Sequence, residues 1–166
     1  MSVTSLIRVL SIILVITGVF GAPSCSSAEI TVGKYRCSSL TSYFYGDSMK
    51  VRVARFAAAD VEKRYAIYIC GNQFIEPPAT YLADPFAQEG VKVVGFLKSK
   101  LLQARDDGSI RDIVNIFSAM RRQHAYDVAM DAELMQVIRA SASGMRDPYW
   151  KQFVEREIAE IVAPFP

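Results

Sequence analysis

One histidine, His124, and three cysteines are all that 166 residues supply of the side chains most used for nucleophilic and metal chemistry. Once the leader described below is set aside, two cysteines and one distant histidine remain. They do not make four ligands at zinc spacing, so no metal is expected. Charge of one sign is also scarce. Nineteen basic residues face 17 acidic ones, a net charge of +2, and without a basic excess there is little to displace counterions from a phosphate backbone. Nucleic acid is therefore excluded as a partner. Glycine-rich phosphate loops, low-complexity tracts and long charge blocks are missing too, and no cofactor is expected.

A long membrane-spanning run is lacking as well, although a shorter apolar one is present. Arg8 is the only charge before Glu29, and the segment from Val9 to Ala22 is almost wholly apolar. It falls short of the roughly 20 residues a helix needs to cross a bilayer. A positive start, an apolar middle and small residues at Ser26-Ser27-Ala28 read as a signal peptide over residues 1–28, cut after Ala28. An earlier cut near Ala22 meets the awkward Pro23. Lipidation at Cys25 is a third reading, but Ala22-Pro23-Ser24 lacks the leucine that normally opens such a site. The expected destination is the periplasm or the exterior, with membrane attachment only if the leader is retained or Cys25 carries lipid.

Removing residues 1–28 leaves Cys37 and Cys70, an even pair bound for an oxidising compartment. A disulfide between them is expected, with two separate buried thiols as the alternative. Closing a loop of some thirty residues contributes on the order of 3 kcal/mol.

The remainder, residues 29–166, reads as one helical domain with a possible sub-boundary at 76–85. Ile30–Tyr35 has strand-like content but is short. Met49, Val53, Phe56, Ala57, Val61, Tyr65 and Tyr68 recur at helical steps, with Asp47 as the expected cap and Gly71 as the expected end. Glu76-Pro77-Pro78 breaks the chain. A second helix is expected from Pro85 through Leu102, and a third from the Asp106-Asp107-Gly108-Ser109 turn with Ile110, Ile113, Val114, Phe117 and Met120 inward. A fourth follows Asp131, and a fifth follows Asp147-Pro148, a cap with proline at the first helical position. The fold class is all-α: a small bundle of about five helices in antiparallel hairpins, with one disulfide. Arg105–Met120 and Met145–Ile161 echo one another in a way that resembles stacked HEAT-type hairpins, which is a packing hint.

Chemistry has few places to stand. Gly46-Asp47-Ser48 resembles the Gly-Asp-Ser opening of some serine esterases, which implies a nucleophilic Ser48. Those enzymes carry an Asp-x-x-His pair late in the chain, and three residues before His124 stands Arg121. The motif reads as a turn and helix cap instead. His124 reads as a helix C-terminal group, with Asp127 and Asp131 as weak cation or acid-base companions. Glu133, Glu155, Glu157 and Glu160 read as solvated surface. The tyrosines crowd the first half, and Tyr43, Tyr45, Tyr65 and Tyr68 are candidates for a ligand groove or for core.

With no nucleophile, base or metal constellation, the expected function is a non-catalytic interaction or accessory module of the cell envelope, its partner an envelope protein or glycan. The alternatives are a cell-envelope hydrolase whose carboxylates meet only in the fold, and a membrane-anchored or lipidated protein.

Overall fold

The computed structural model describes residues 29–164, and the leader, its cleavage position and Cys25 lie outside them. The chain opens with a minimal hairpin, β1 (Thr31–Val32) antiparallel to β2 (Tyr35–Arg36), with Gly33 at φ +53° in the turn. A 3-10 helix over Cys37–Phe44 follows, and the Cys37–Cys70 disulfide fastens it to α2.

Seven α-helices come next: α1 (Met49–Ala57), α2 (Val61–Phe74), α3 (Ala83–Ala87), α4 (Val91–Gln103), α5 (Asp107–Arg122), α6 (Ala132–Ser143) and α7 (Pro148–Val162). Single 3-10 turns at Thr80–Leu82 and Val128–Met130 link them. Five of the seven begin on a side chain that accepts backbone N–H groups left unpaired by the first turn: Ser48, Asp60, Asp106, Asp131 and Asp147.

The helix count corrects the expected five. With the eight-residue 3-10 helix there are eight among the described residues, because two of the expected helices are each divided. The helical spacing from Met49 to Tyr68 is cut at Ala58–Asp60, where the Asp60 carboxylate accepts the Lys63 N–H and starts α2. The segment from Pro85 to Leu102 is cut at Gly90, which adopts φ +53° with the Ala125 carbonyl oxygen 2.5 Å from where a Cβ would stand. Two smaller expectations change as well. Ser48 rather than Asp47 caps α1, while Asp47 pairs with Arg55. Gly71 lies inside α2 instead of ending it.

The core centres on α5. Ile113, Val114, Ile116, Phe117 and Met120 are fully buried there, and α7 and α3 pack along it. Around this axis sit Phe56, Tyr68, Leu82, Phe86, Leu97, Leu101, Ile138, Val154 and Ile161, one continuous apolar cluster. α2 is buried on every side from Arg64 to Asn72, which is why its sequence shows no sharp polar face.

A polar latch holds the N-terminal hairpin down. The Lys100 ammonium donates to the Tyr35 hydroxyl at 2.9 Å and pairs with Glu62 at 2.8 Å, and it lies 4.9–5.6 Å from the centres of the Phe96, Tyr65 and Tyr35 rings. Hydrogen bonds from Lys100 and then Lys34 hold the Glu62 carboxyl down at about 2. The Glu62 side chain is 42% exposed, so water screens the pairing and its contribution stays below about 1 kcal/mol.

Candidate functional site

Two places combine access or unusual chemistry with a defined shape. The first is a buried polar cluster between α2, α5 and α7. Asp112 is the one acidic side chain buried in α5 and is 3% exposed. Its Oδ1 accepts from Arg111 Nε at 2.8 Å and Nη2 at 2.6 Å, and its Oδ2 accepts from Gln73 Nε2 at 3.2 Å. The Arg111 guanidinium in turn lies 4.2 Å from the centre of the Trp150 ring. The Tyr68 hydroxyl donates to the Asp112 carbonyl at 3.1 Å and accepts from Asn115 Nδ2 at 2.9 Å. A hollow of about 140 Å³ faces this cluster, lined by Asn72, Pro78, Thr80, Trp150 and Phe153.

Burial dominates the Asp112 carboxyl and lifts it to about 6, against the lowering influence of Arg111 and Gln73. An acid that binds its proton more tightly folded than unfolded contributes stability that is complete below about pH 3.8 and is lost as pH rises through about 6. The loss amounts to about 3 kcal/mol at neutral pH, taking about 1.4 kcal/mol per unit. Asp112→Asn carries no such ionisation. Urea denaturation of both proteins from pH 3.5 to 7 is expected to show their stability difference moving by about that amount in favour of asparagine. A difference that stays flat across the range contradicts the assignment.

The second place is an open groove of about 600 Å³ between α6 and the corner where α4 meets α5. Glu133, Gln136, Val137, Ala140, Ser141 and Gly144 line one wall. Their spacing of three, one, three, one and three places them on one face of α6. The core-facing residues Leu134, Met135, Ile138 and Ala142 occupy a different face of the helix. The opposite wall is Leu101, Leu102, Ala104 and Ile110, with Leu102 56% exposed. Arg105 and Arg146 stand at one end. Neither guanidinium has a carboxylate within ion-pair distance among the described residues, and Arg105 Nη1 donates instead to the Leu102 and Ala104 carbonyls. Asp107, at the same end, spends one carboxylate oxygen on the backbone N–H groups of Arg146 and Asp147, at 2.9 and 2.6 Å. Glu133, at the far end, pairs with Lys98.

The residues singled out by sequence are dispersed. Ser48 is exposed, and its Oγ caps α1 by accepting the Val51 N–H at 3.4 Å. The described residues contain only the two-stranded hairpin, so no parallel sheet holds that serine. Of the four tyrosines, Tyr45 is exposed while Tyr43, Tyr65 and Tyr68 are buried in three separate settings. Tyr43 packs edge-on to Phe44, donates to the Arg52 carbonyl, and has its hydroxyl pushed up to about 12, mainly by burial. Tyr65 belongs to the Lys100 latch, and Tyr68 backs the Asp112 cluster.

His124 and Asp127 share a small hollow of about 220 Å³ with Arg121 and Tyr126, and Asp127 pairs with Arg121 at 2.8 Å. Asp131 caps α6 and accepts the Tyr126 hydroxyl at 2.8 Å; the Leu134 N–H and then that hydroxyl hold its carboxyl below the usual range. Among the described residues no three His, Cys, Asp or Glu side chains gather as metal ligands.

Asp112, Arg105, Arg146 and the groove face of α6 were not among the sequence candidates. Asp112 carried a signal, a lone acid between Ile110 and Ile113. The α6 face carried a weaker one, a helical stripe that passes from polar Glu133 and Gln136 to small residues at Ala140, Ser141 and Gly144, next to the strongly apolar stripe. No family model, no curated protein and no solved structure matches the chain. Among the described residues no helix is long and apolar enough to cross a membrane.

Proposed function

We propose that the mature chain is an exported, non-catalytic interaction module of the bacterial envelope that holds its partner in the groove along α6. The observation that carries this reading is the groove itself, a solvent-open trough of about 600 Å³ whose lining mixes apolar and polar side chains and whose ends are charged. Its size falls within the ordinary range of binding clefts. Two further features support the reading. The Cys37–Cys70 disulfide suits an oxidising compartment, and the side chains that resemble catalytic groups are engaged structurally, Ser48 and Asp131 as helix caps and Asp112 by Arg111 and Gln73.

One observation favours the second reading, a hydrolase working through carboxylates: the Asp112 carboxyl, pushed up by burial, stands beside an aromatic hollow. The two readings separate in a single experiment. Protein carrying a photo-crosslinking residue at Gln136 is exposed to envelope extract, with the same residue at Lys50 on α1 as control, while turnover of cell-wall and ester substrates is followed. The module reading expects adducts from position 136 and not from position 50, with no turnover. Turnover that disappears in Asp112→Asn overturns it in favour of the hydrolase.

A further inference from the structure

The groove along α6 also carries information about the chemistry of what it holds, an inference that rests on the proposed module reading. From Glu133 to Gly144 the lining face runs for about 17 Å, at about 1.5 Å per residue. Three helical turns of exposed wall exceed what a compact small molecule uses and match the length over which a partner helix lays down anchors at i, i+3 or i+4, and i+7. Ala140, Ser141 and Gly144 keep the middle and the C-terminal end of the wall shallow, so a partner backbone can approach closely there. Leu102 opposite is a large apolar side chain left 56% exposed, and covering such area is the main favourable term in association.

Charge sets the polarity. Arg105 and Arg146 bring two guanidinium groups to the Gly144 end, where half of the Asp107 carboxylate is already occupied by backbone N–H groups. At the other end Glu133 is neutralised by Lys98. The groove therefore presents apolar footholds at Leu102, Val137 and Ala140 within a mixed lining, and a positive surplus at one end only. Carboxylates are the groups that guanidinium forks bind in paired geometry. From this we infer that the groove accepts an amphipathic helix of a partner protein, with leucine-type anchors along one face and acidic side chains at the end that meets Arg105 and Arg146.

Two fluorescent peptides of about 16 residues test the assignment, identical in their leucine face and differing only in a Glu-Glu or a Lys-Lys pair at one end. In anisotropy titrations against the mature protein the acidic peptide is expected to bind about tenfold more tightly, the size of two exposed ion pairs. The advantage should shrink as salt rises. Arg105→Glu with Arg146→Glu is expected to reverse the preference. Ala140→Trp, an exposed position whose change leaves the core intact, is expected to abolish binding of both peptides with the thermal midpoint retained.

Equal binding of the two peptides, or binding of neither, overturns the acidic-helix assignment. Crosslinks from Gln136 to an envelope component under those circumstances leave the module reading standing with another occupant. Binding to anionic lipid vesicles but to neither peptide overturns the assignment in favour of a membrane surface. Absence of crosslinks together with absence of peptide binding removes both.

Discussion

Gly71→Ala is expected to destabilise the protein by about 3 kcal/mol, at the upper end of what a single added methyl does in a packed core. By helix propensity alone the change should help, since glycine inside a helix is about 1 kcal/mol worse than alanine. The surroundings decide otherwise. A Cβ at position 71 would stand 2.6 Å from Cζ of Phe44 and 2.7 Å from Cβ of Ala79. Neither neighbour is the loose end of a flexible side chain: Phe44 is buried in the 3-10 helix, and Ala79 is held by its own N–H bond to the Gly71 carbonyl at 3.1 Å. Gly71 is thus the point where the N-terminal 3-10 helix and the proline loop both close on α2, and a methyl there must push one of them away.

Gly95→Ala makes the internal control. Gly95 is exposed in α4 with nothing within 4 Å of its would-be Cβ, so the same substitution is expected to stabilise by about 0.5–1 kcal/mol. Thermal melts of the two variants should move in opposite directions, with Gly71→Ala down by about 10 °C. A Gly71→Ala melt at or above the wild-type midpoint would show that α2 and its neighbours separate at little cost.

The same glycine shows where sequence reading stops. A glycine after a run of helix-face residues looks like a terminator, because its cost inside a helix is local and visible. The benefit of close approach depends on Phe44 and Ala79, which lie far from it in sequence or across a proline loop, and no local pattern displays it. The break between α1 and α2 was hidden for a related reason. Phe56, Ala57, Val61 and Tyr65 keep helical phase across it, and Ala57-Ala58-Ala59 contains neither glycine nor proline to mark a stop. Only the Asp60 cap records the new start.

Where signals were local, they were legible. Asp106, Asp131 and Asp147 cap helices that begin where expected, and the inward face of α5 holds the residues its spacing selects. The groove was illegible because it is made by juxtaposition. Half of it is the least remarkable face of α6, and the other half is a corner between two helices.

Loss of the Cys37–Cys70 bridge is the other change with a large expected effect. The two cysteines are 33 residues apart in sequence, and releasing a loop of that size returns about 3.5 kcal/mol of chain entropy to the unfolded state. Both residues are nearly fully buried, so Cys37→Ala with Cys70→Ala also leaves unfilled space against α2 and is expected to cost somewhat more. The loss should not be uniform. Residues 29–47 reach the rest of the molecule through the disulfide, the Lys100 latch, the buried Phe44 and Tyr43, and the hydrogen bonds that Arg52 and Arg55 make back to this segment. The helices α5, α6 and α7 pack directly on one another, away from that segment.

Native-state hydrogen exchange on the double variant is therefore expected to show protection falling first and furthest in the hairpin, the 3-10 helix and the second half of α2, with α5 and α7 retaining theirs until global unfolding. Because the groove lies on the α4–α6 side, the surviving part of the molecule includes the proposed contact surface. The oxidised protein and the double variant should then bind the acidic peptide with similar affinity wherever both remain folded. Protection lost equally from every helix would mean that the disulfide anchors the whole core rather than its N-terminal flank.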